Sequence, residues 1–227
     1  MIANYIQTGE FAINNPASAH HEGGNGPTLV LLHGLTGVWS IWKPVLGLLE
    51  RHFRVLALTL PGHDGGSHWE SGQPASVAAM ADRLADELRA RGIERAHIAG
   101  NSLGGWLALE LARRGLADSV TALSPAGGWQ TDAEYMQVAR PFRILAAVLP
   151  WIHWLLAPLM RFAAMRKRLF AQSMAHGERL TGDEARAFLR GFLRCAVLRG
   201  LLAQMRKQGP IATLDCRVPI TIAWAEH

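Results

Sequence analysis

A serine with a glycine two residues away on each side, in the segment Gly100-Asn101-Ser102-Leu103-Gly104, most constrains how this chain can fold. Residues 96–98 before it predict a strand, and residues 106–112 after it predict a helix. A direct turn from strand to helix is sharp, so side chains larger than glycine at positions 100 and 104 would collide with backbone. The turn lifts the serine hydroxyl to the carboxyl edge of a sheet, where helix amides favour negative charge. The pattern predicts a nucleophile at Ser102, and an ordinary glycine-rich turn is the alternative.

Strands and helices alternate along the first 129 residues. Apolar runs predict three strands besides the one before Ser102, at residues 28–32, 53–58 and 119–124. Apolar residues at helical spacing predict two helices, at residues 41–51 and 75–91, and weaker patterns predict edge strands at residues 5–6 and 10–13. This alternation predicts an α/β fold with a doubly wound, mostly parallel sheet covered by helices on both faces.

The pattern changes at residues 130–210, which are predicted to be helical throughout. We interpret them as an all-helical cap, inserted after the strand that follows the Ser102 helix. The core would then comprise residues 1–129 and 211–227, with a last strand at 218–224. Pro150 and Pro158 interrupt the apolar run 144–160, which predicts paired helices whose apolar face closes over a pocket. The pattern Thr-x-x-Glu at Thr181 predicts the start of a helix that runs toward Gln208.

The same helical segment is basic, with thirteen Lys and Arg against five Asp and Glu. These cations alternate with apolar residues at helical spacing, which favours a solvated helix face over a nucleic-acid surface. The apolar run between Arg143 and Arg161 is broken by prolines and shorter than a comfortable membrane span. We therefore expect no stable span and no nucleic-acid partner. Association of the cap surface with a membrane is the alternative, because the segment is basic and contains tryptophan.

Composition predicts a soluble globular protein. The chain has 227 residues, of which 49% are hydrophobic, and it begins without a basic stretch followed by an apolar signal core. Its two cysteines, Cys195 and Cys216, are expected to be free reduced thiols. We therefore predict a cytoplasmic protein that acts on a small-molecule substrate without a metal or another cofactor.

Three motifs in this order and spacing resemble proteins of the α/β-hydrolase fold. They are His33-Gly34 after the first long strand, Leu60-Pro61-Gly62-His63 after the next strand, and Gly100-Asn101-Ser102-Leu103-Gly104-Gly105. The resemblance covers nearly the whole chain, and residues 130–210 stand where the family carries its cap. It implies a serine hydrolase that acts on a small, apolar ester or related carbonyl compound, similar to a carboxylesterase.

The resemblance also implies roles for individual residues. Ser102 would attack a carbonyl carbon after a histidine takes its proton. The backbone N–H groups of Leu35 and Leu103 would form the oxyanion hole. Four residues would support these loops: His33, Gly34, Gly100 and Gly104. His63 and His68 on the second loop are interpreted as solvated side chains, with pocket lining as the alternative.

The catalytic acid and base are not found by the resemblance. The family places an acid after the strand at 220–224, where this chain has Ala225-Glu226-His227, so Glu226 is one candidate. Asp132 lies where some relatives place the acid, and a pocket-lining or cap-entry aspartate is the alternative for it. We expect the acid and base to lie beyond residue 227 in a longer hydrolase. A natural protein that no longer hydrolyses a substrate is the other explanation.

Two rival functions stay open at this stage. Hydrolases that cleave carbon–carbon bonds of ring-fission products share the motif Gly-Asn-Ser-x-Gly-Gly, and a non-catalytic binding protein could keep the same fold. Dehalogenases and epoxide hydrolases are disfavoured, because they use an aspartate where this chain has Ser102. Trp151 and Trp154 suggest an aromatic or aliphatic acyl group, although core packing would explain them equally well.

Overall fold

The computed structural model describes residues 19–171 and 173–224. The edge strands predicted at 5–6 and 10–13, and the candidate acid Glu226, lie outside the described residues. The strands are β1 (His20–Gly23), β2 (Thr28–Leu32), β3 (Arg54–Leu58), β4 (Ala96–Asn101), β5 (Ala117–Leu123) and β6 (Ile220–Ala223). The helices are α1 (Lys43–Leu49), α2 (Val77–Ala90), α3 (Leu103–Arg113), α4 (Asp132–Leu159), α5 (Ala163–Phe170), α6 (Gly182–Leu193) and α7 (Leu198–Gln208). Short 3₁₀ helices occupy Trp39–Trp42 and Gly177–Arg179.

The described strands form one sheet in the order β1-β3-β2-β4-β5-β6, in which β1 is antiparallel to β3 and the other pairs are parallel. Residues 29–32 of β2 are all apolar and buried, as in a strand that is covered on both faces. Val30 and Leu32 belong to the large core that includes α2 and α3, whereas Leu29 and Leu31 pack with Leu46 of α1. The predicted doubly wound α/β fold is confirmed.

The apolar run in the helical segment forms one continuous helix, so the prediction of paired helices broken at Pro150 and Pro158 is wrong. The helix α4 has 28 residues and contains both prolines as well as Pro141. A proline frees the carbonyl four residues before it, and for Pro150 that carbonyl belongs to Ala146. Arg199 of α7 donates from Nη2 to the Ala146 carbonyl at 3.4 Å. The neighbouring helix therefore replaces the hydrogen bond that the proline removes.

The helix predicted to run from Thr181 to Gln208 is instead two helices, α6 and α7. Its start is as predicted, because Thr181 and Glu184 form a reciprocal capping box. The break falls at residues 194–197, where the Ala196 N–H donates to the Gly62 carbonyl at 2.9 Å instead of continuing the helical pattern. This hydrogen bond ties the helical segment to the loop that follows β3.

The outward face of α4 is apolar and open to solvent. Trp151 is 79% exposed and Trp154 is 69% exposed, so core packing does not explain them. By length and composition alone, α4 is long and apolar enough to cross a membrane. The helix is about 42 Å long at 1.5 Å per residue because it continues through Pro141 back to Asp132, whereas the uncharged apolar run between Arg143 and Arg161 keeps its 17 residues. The absence of a stable membrane span therefore stays a prediction.

Candidate active site

Ser102 stands at the junction of β4 and α3, in the conformation that the glycine pattern predicts. Its φ is 53° and its ψ is −114°, a strained region for a residue with a side chain. Three backbone hydrogen bonds hold it there. The Ser102 N–H donates to the Leu123 carbonyl at 2.9 Å, and its carbonyl accepts from Ala126 at 2.9 Å and Trp106 at 3.2 Å. Strained residues held by the surrounding structure in this way cluster at functional sites, which makes Ser102 a candidate.

Two glycines allow the turn to close. A Cβ atom on Gly100 would lie 2.1 Å from the carbonyl oxygen of Gly104. A Cβ atom on Gly104 would lie 2.1 Å from the carbonyl oxygen of Leu32 at the end of β2. Both contacts are to backbone, which cannot swing aside as a flexible side chain can. The turn therefore brings the start of α3 directly against the end of the neighbouring strand.

The loop after β2 lies against Ser102. A Cβ atom on Gly34 would lie 3.3 Å from the Cβ atom of Ser102. Within residues 19–171 and 173–224, the backbone N–H groups of Leu35 and Leu103 donate no hydrogen bond. Two unpartnered donors beside a serine at a helix N-terminus can stabilise an oxyanion. The described part of the chain likewise gives the Ser102 hydroxyl no hydrogen-bond partner.

His33 is fully buried and joins two loops through its ring nitrogens. Its Nε2 accepts a hydrogen bond from the Leu60 N–H at 2.9 Å, so the proton resides on Nδ1, which donates to the Gly34 carbonyl at 2.7 Å. Burial, with a smaller contribution from the charge of His63, holds the pKa of His33 well below its usual value. Because both ring nitrogens have backbone partners, His33 holds the two loops together and is not placed to take the Ser102 proton.

His63 is buried, so its interpretation as a solvated loop side chain is wrong. Only 4% of its surface is exposed, and its ring lies edge-on to that of His33 with centroids 5.0 Å apart. Its Nδ1 donates to the Pro61 carbonyl at 3.2 Å, while Nε2 is buried without a partner among the described residues. Burial lowers the pKa of His63 to about 4. His68 is exposed, as expected.

The helical segment contacts both loops beside Ser102. A Cβ atom on Gly191 of α6 would lie 2.8 Å from the carbonyl oxygen of Thr36. Thr36 is one of the residues with a positive φ, at 66°. The buried Cys195 contacts the Thr36 backbone, and burial raises the pKa of its thiol to about 12. Such a thiol stays protonated and unreactive. These contacts place α6 over the loop that carries Leu35.

An ion-pair cluster fixes the same helix to the loop after β3. Asp64 accepts from Arg190 Nε at 3.0 Å and from Arg194 Nη1 at 3.4 Å. No local sequence pattern predicts this cluster, because the arginines belong to a basic segment interpreted as a solvated face. The Asp64 side chain is only 14% exposed, so part of that face is an internal contact.

Asp132 lies at the first turn of α4, where both of its carboxylate oxygens bind one arginine. Arg206 of α7 donates to Oδ1 at 2.7 Å and to Oδ2 at 2.8 Å. The hydrogen bond from Arg206 holds the pKa of Asp132 below its usual value. Asp132 therefore joins α4 to α7, which fits the cap-entry alternative better than the role of an acid paired with a histidine.

We expect Asp132→Asn to leave the reactivity of Ser102 unchanged. A catalytic acid orients its histidine, and its replacement lowers turnover by about 10⁴-fold. Asp132 binds Arg206 instead, so its replacement removes the ion pair that joins α4 to α7. The measurement is the rate at which a fluorophosphonate modifies Ser102 in the wild type and the variant, with Asp183→Asn as the matched surface control. A rate lowered by orders of magnitude in Asp132→Asn alone would identify Asp132 as the acid.

No group of three or more His, Cys, Asp or Glu side chains suited to a metal ion occurs in the part of the chain that the structure describes. A cavity of about 440 Å³ is lined by Arg89, Gly92, Glu94, Arg114, Gly115 and Leu116. Those residues lie where β4 and β5 begin, so this cavity is at the opposite edge of the sheet from Ser102.

The chain matches the model of the alpha/beta hydrolase family over residues 29–225. It is 57% identical over 54 residues to the epoxide hydrolase EphH of Mycobacterium tuberculosis, a match that covers 24% of this chain and 25% of that protein. It is 42% identical over 93 residues to a protein of Yersinia enterocolitica named as a carbamate hydrolase, RutD, with 40% of this chain and 33% of that protein covered. The matches span one quarter to one third of the length of these relatives.

A solved structure of a meta-cleavage product hydrolase from Pseudomonas fluorescens superposes on this chain with a TM-score of 0.65. The superposition covers 90% of this chain and 74% of that one at 19% sequence identity. At that identity the likeness shows the fold alone.

Proposed function

The chain belongs to the alpha/beta hydrolase family, and from that premise we propose that it hydrolyses a small, apolar ester or related carbonyl compound through Ser102. One observation carries the proposal. The Ser102 side chain projects from a strained turn against a loop whose Leu35 N–H, like that of Leu103, has no hydrogen-bond partner among the described residues. A nucleophile beside two preorganised donors is the arrangement that acyl transfer requires.

In the proposed reaction, Ser102 Oγ attacks the carbonyl carbon while its proton passes to a general base. The carbonyl electron pair moves onto oxygen, and the Leu35 and Leu103 N–H groups stabilise the oxyanion. The bond to the leaving alcohol then breaks, and the alcohol takes the proton from the base. Water attacks the resulting acyl-enzyme in the same way, releasing the acid and regenerating Ser102.

The proposal requires a base that His33 and His63 do not supply. His33 uses both of its nitrogens on backbone groups, and burial keeps the pKa of both histidines low. No other histidine within 19–171 and 173–224 donates to or accepts from the Ser102 hydroxyl. We therefore propose that the base, and the acid that orients it, come from outside the described residues.

The names of the relatives bear on the reaction class. A carbamate has a carbonyl carbon that Ser102 could attack as it attacks an ester, so the RutD-like match supports the carbonyl class. Opening of an epoxide is the alternative that the EphH match raises. An epoxide has no carbonyl oxygen for the Leu35 and Leu103 donors to bind, and position 102 carries a hydroxyl instead of a carboxylate. We therefore propose ester or carbamate hydrolysis over epoxide opening.

The test is covalent labelling by a fluorophosphonate, which reacts with activated serines. We expect the wild type to be labelled at Ser102 and Ser102→Ala to be unlabelled, because the reagent places its phosphoryl oxygen in the same oxyanion hole. Ser71→Ala, on an exposed loop, is the matched control and should label like the wild type. Because the base is proposed to come from outside the described residues, the protein tested must include that base. If such a protein is folded and remains unlabelled, the result contradicts an activated nucleophile and favours a binding protein. If Ser102 is labelled, turnover assays with short-chain esters, carbamates, epoxides and ring-fission products distinguish the reaction classes.

We also propose a cytoplasmic location and a small-molecule substrate, with neither a nucleic-acid partner nor a cofactor. Cys195 and Cys216 are free thiols in the structure, which supports a reducing compartment.

A further inference from the structure

The outer face of α4 is a solvent-exposed apolar stripe at helical spacing. Ile144, Val148, Trp151, Trp154 and Leu155 are each between 42% and 79% exposed. Between Arg143 and Arg161 the sequence contains no Asp, Glu, Lys or Arg. Scattered single apolar residues on a surface are ordinary, whereas a contiguous stripe with two tryptophans indicates a docking surface.

The inner face of α4 packs against other helices of the helical segment. Leu149 is fully buried, and Phe142 stacks on Phe192 of α6 with ring centroids 6.3 Å apart. The Tyr135 hydroxyl donates to the Leu202 carbonyl of α7 at 2.5 Å. A membrane-spanning α4 would have to leave these partners and expose them. Only the outer face of α4 is therefore free to contact a membrane, as in a helix that lies in the plane of the membrane surface.

The charges around the stripe have one sign. Residues 135–171 contain six Lys and Arg and no Asp or Glu. Arg166 is buried and donates to the carbonyls of Met160, Arg161 and Glu178. The other five are exposed, and Arg161 lies over the ring of Phe162, which is 48% exposed. Long cationic side chains beside apolar ones allow charge to reach lipid phosphates while the apolar groups enter the acyl boundary.

We propose that the outer face of α4 docks on the surface of a membrane that contains anionic phospholipids. Trp151, Trp154 and their apolar neighbours enter the headgroup region, and Arg140, Arg143 and Arg161 bind lipid phosphates. The protein stays on the membrane surface and does not cross it. This inference uses the exposure and charge of α4, and it is independent of the reaction proposed for Ser102.

Flotation of the chain with lipid vesicles tests the proposal. Vesicles of phosphatidylglycerol and phosphatidylcholine in equal amounts should carry the protein, pure phosphatidylcholine should carry much less, and about 0.5 M salt should release it. Trp151→Ser with Trp154→Ser should weaken binding by about tenfold or more. Arg143→Gln with Arg161→Gln should weaken it by about 30-fold. Both double variants should keep the wild-type melting temperature, because these side chains are exposed.

Matched controls separate the stripe from general surface effects. Leu48→Ser removes an exposed apolar residue of α1, and Arg51→Gln with Arg217→Gln removes two exposed cations elsewhere. These variants should bind vesicles like the wild type. Equal losses in test and control variants, or no binding to anionic vesicles, would overturn the proposal. Protein that stays in the vesicles after alkaline extraction would also overturn it, because that result indicates a membrane span. So would self-association of the wild type that the tryptophan variant loses, because that result indicates a second copy docked on the stripe.

Discussion

Gly104→Ala is expected to lower the free energy of unfolding by about 3–5 kcal/mol, and to remove much of the folded protein at 37 °C. The new Cβ atom would lie 2.1 Å from the Leu32 carbonyl oxygen and 2.5 Å from its carbon. These are backbone atoms of a central strand, so α3 must move away from the sheet to make room. Ser102 immediately precedes α3 and would move with it, so fluorophosphonate labelling should fall in the fraction that remains folded.

Gly47→Ala is the matched control for this substitution. Gly47 lies inside α1 with open space around its Cβ position, and alanine is the better helix former. We expect it to raise the free energy of unfolding by about 0.5–1 kcal/mol. Urea unfolding followed by circular dichroism measures both variants. A Gly104→Ala variant as stable as the wild type would show that the close contact with Leu32 does not constrain the turn.

The parallel strands and the turn at Ser102 were predictable because they follow from local rules, whereas the polar edge strand β1 was not predicted. The strand β2 was predicted with its observed bounds, since an apolar run with turn residues on both sides has few alternatives. The conformation of Ser102 followed from the two glycines, whose Cβ positions are occupied by backbone. The placement of Gly34 against Ser102 came from the family resemblance, because no local pattern relates residues that are 68 positions apart.

The helical segment was less predictable because tertiary contacts decide its breaks. Pro150 predicts an interruption, and only the position of Arg199 on α7 shows how the freed Ala146 carbonyl is satisfied. Conversely, residues 194–197 contain neither glycine nor proline, yet the helix ends there to let Ala196 bind Gly62. The run 144–160 is apolar on nearly all sides, so its sequence does not indicate which face is outward. The structure places Trp151 on that face.

His63 shows the same limit at the candidate site. A histidine between glycines and an aspartate, in Gly62-His63-Asp64-Gly65, has the composition of an exposed loop. The loop is covered because Val197 packs on Gly62 and because Arg190 and Arg194 bind Asp64. Those partners are more than 120 residues away in the sequence. The burial of His63, and hence its low pKa, depends on contact with the helical segment and not on the loop alone.

Acid is expected to destabilise this protein through the buried pair His33 and His63. The ordinary histidine pKa of 6.5 applies to the unfolded chain, whereas burial lowers the pKa of His63 to about 4 in the folded protein. Between these values the unfolded state binds more protons, so the free energy of unfolding falls as the pH falls from about 6.5 to 4. His63 alone accounts for roughly 3 kcal/mol over that range. His33 adds in the same direction, because burial holds its pKa well below its usual value in the folded protein.

His63→Phe removes this titration while keeping a ring of similar size beside His33. We expect a flatter pH profile, with the slope near pH 5.5 reduced by about 1.2 kcal/mol per pH unit. Urea unfolding between pH 7 and about pH 4.5 measures the slope. His68→Gln, on the same loop but exposed, should keep the wild-type profile. The carboxylates titrate alike in all three proteins, so an unchanged slope in His63→Phe would show that His63 is not held neutral by burial.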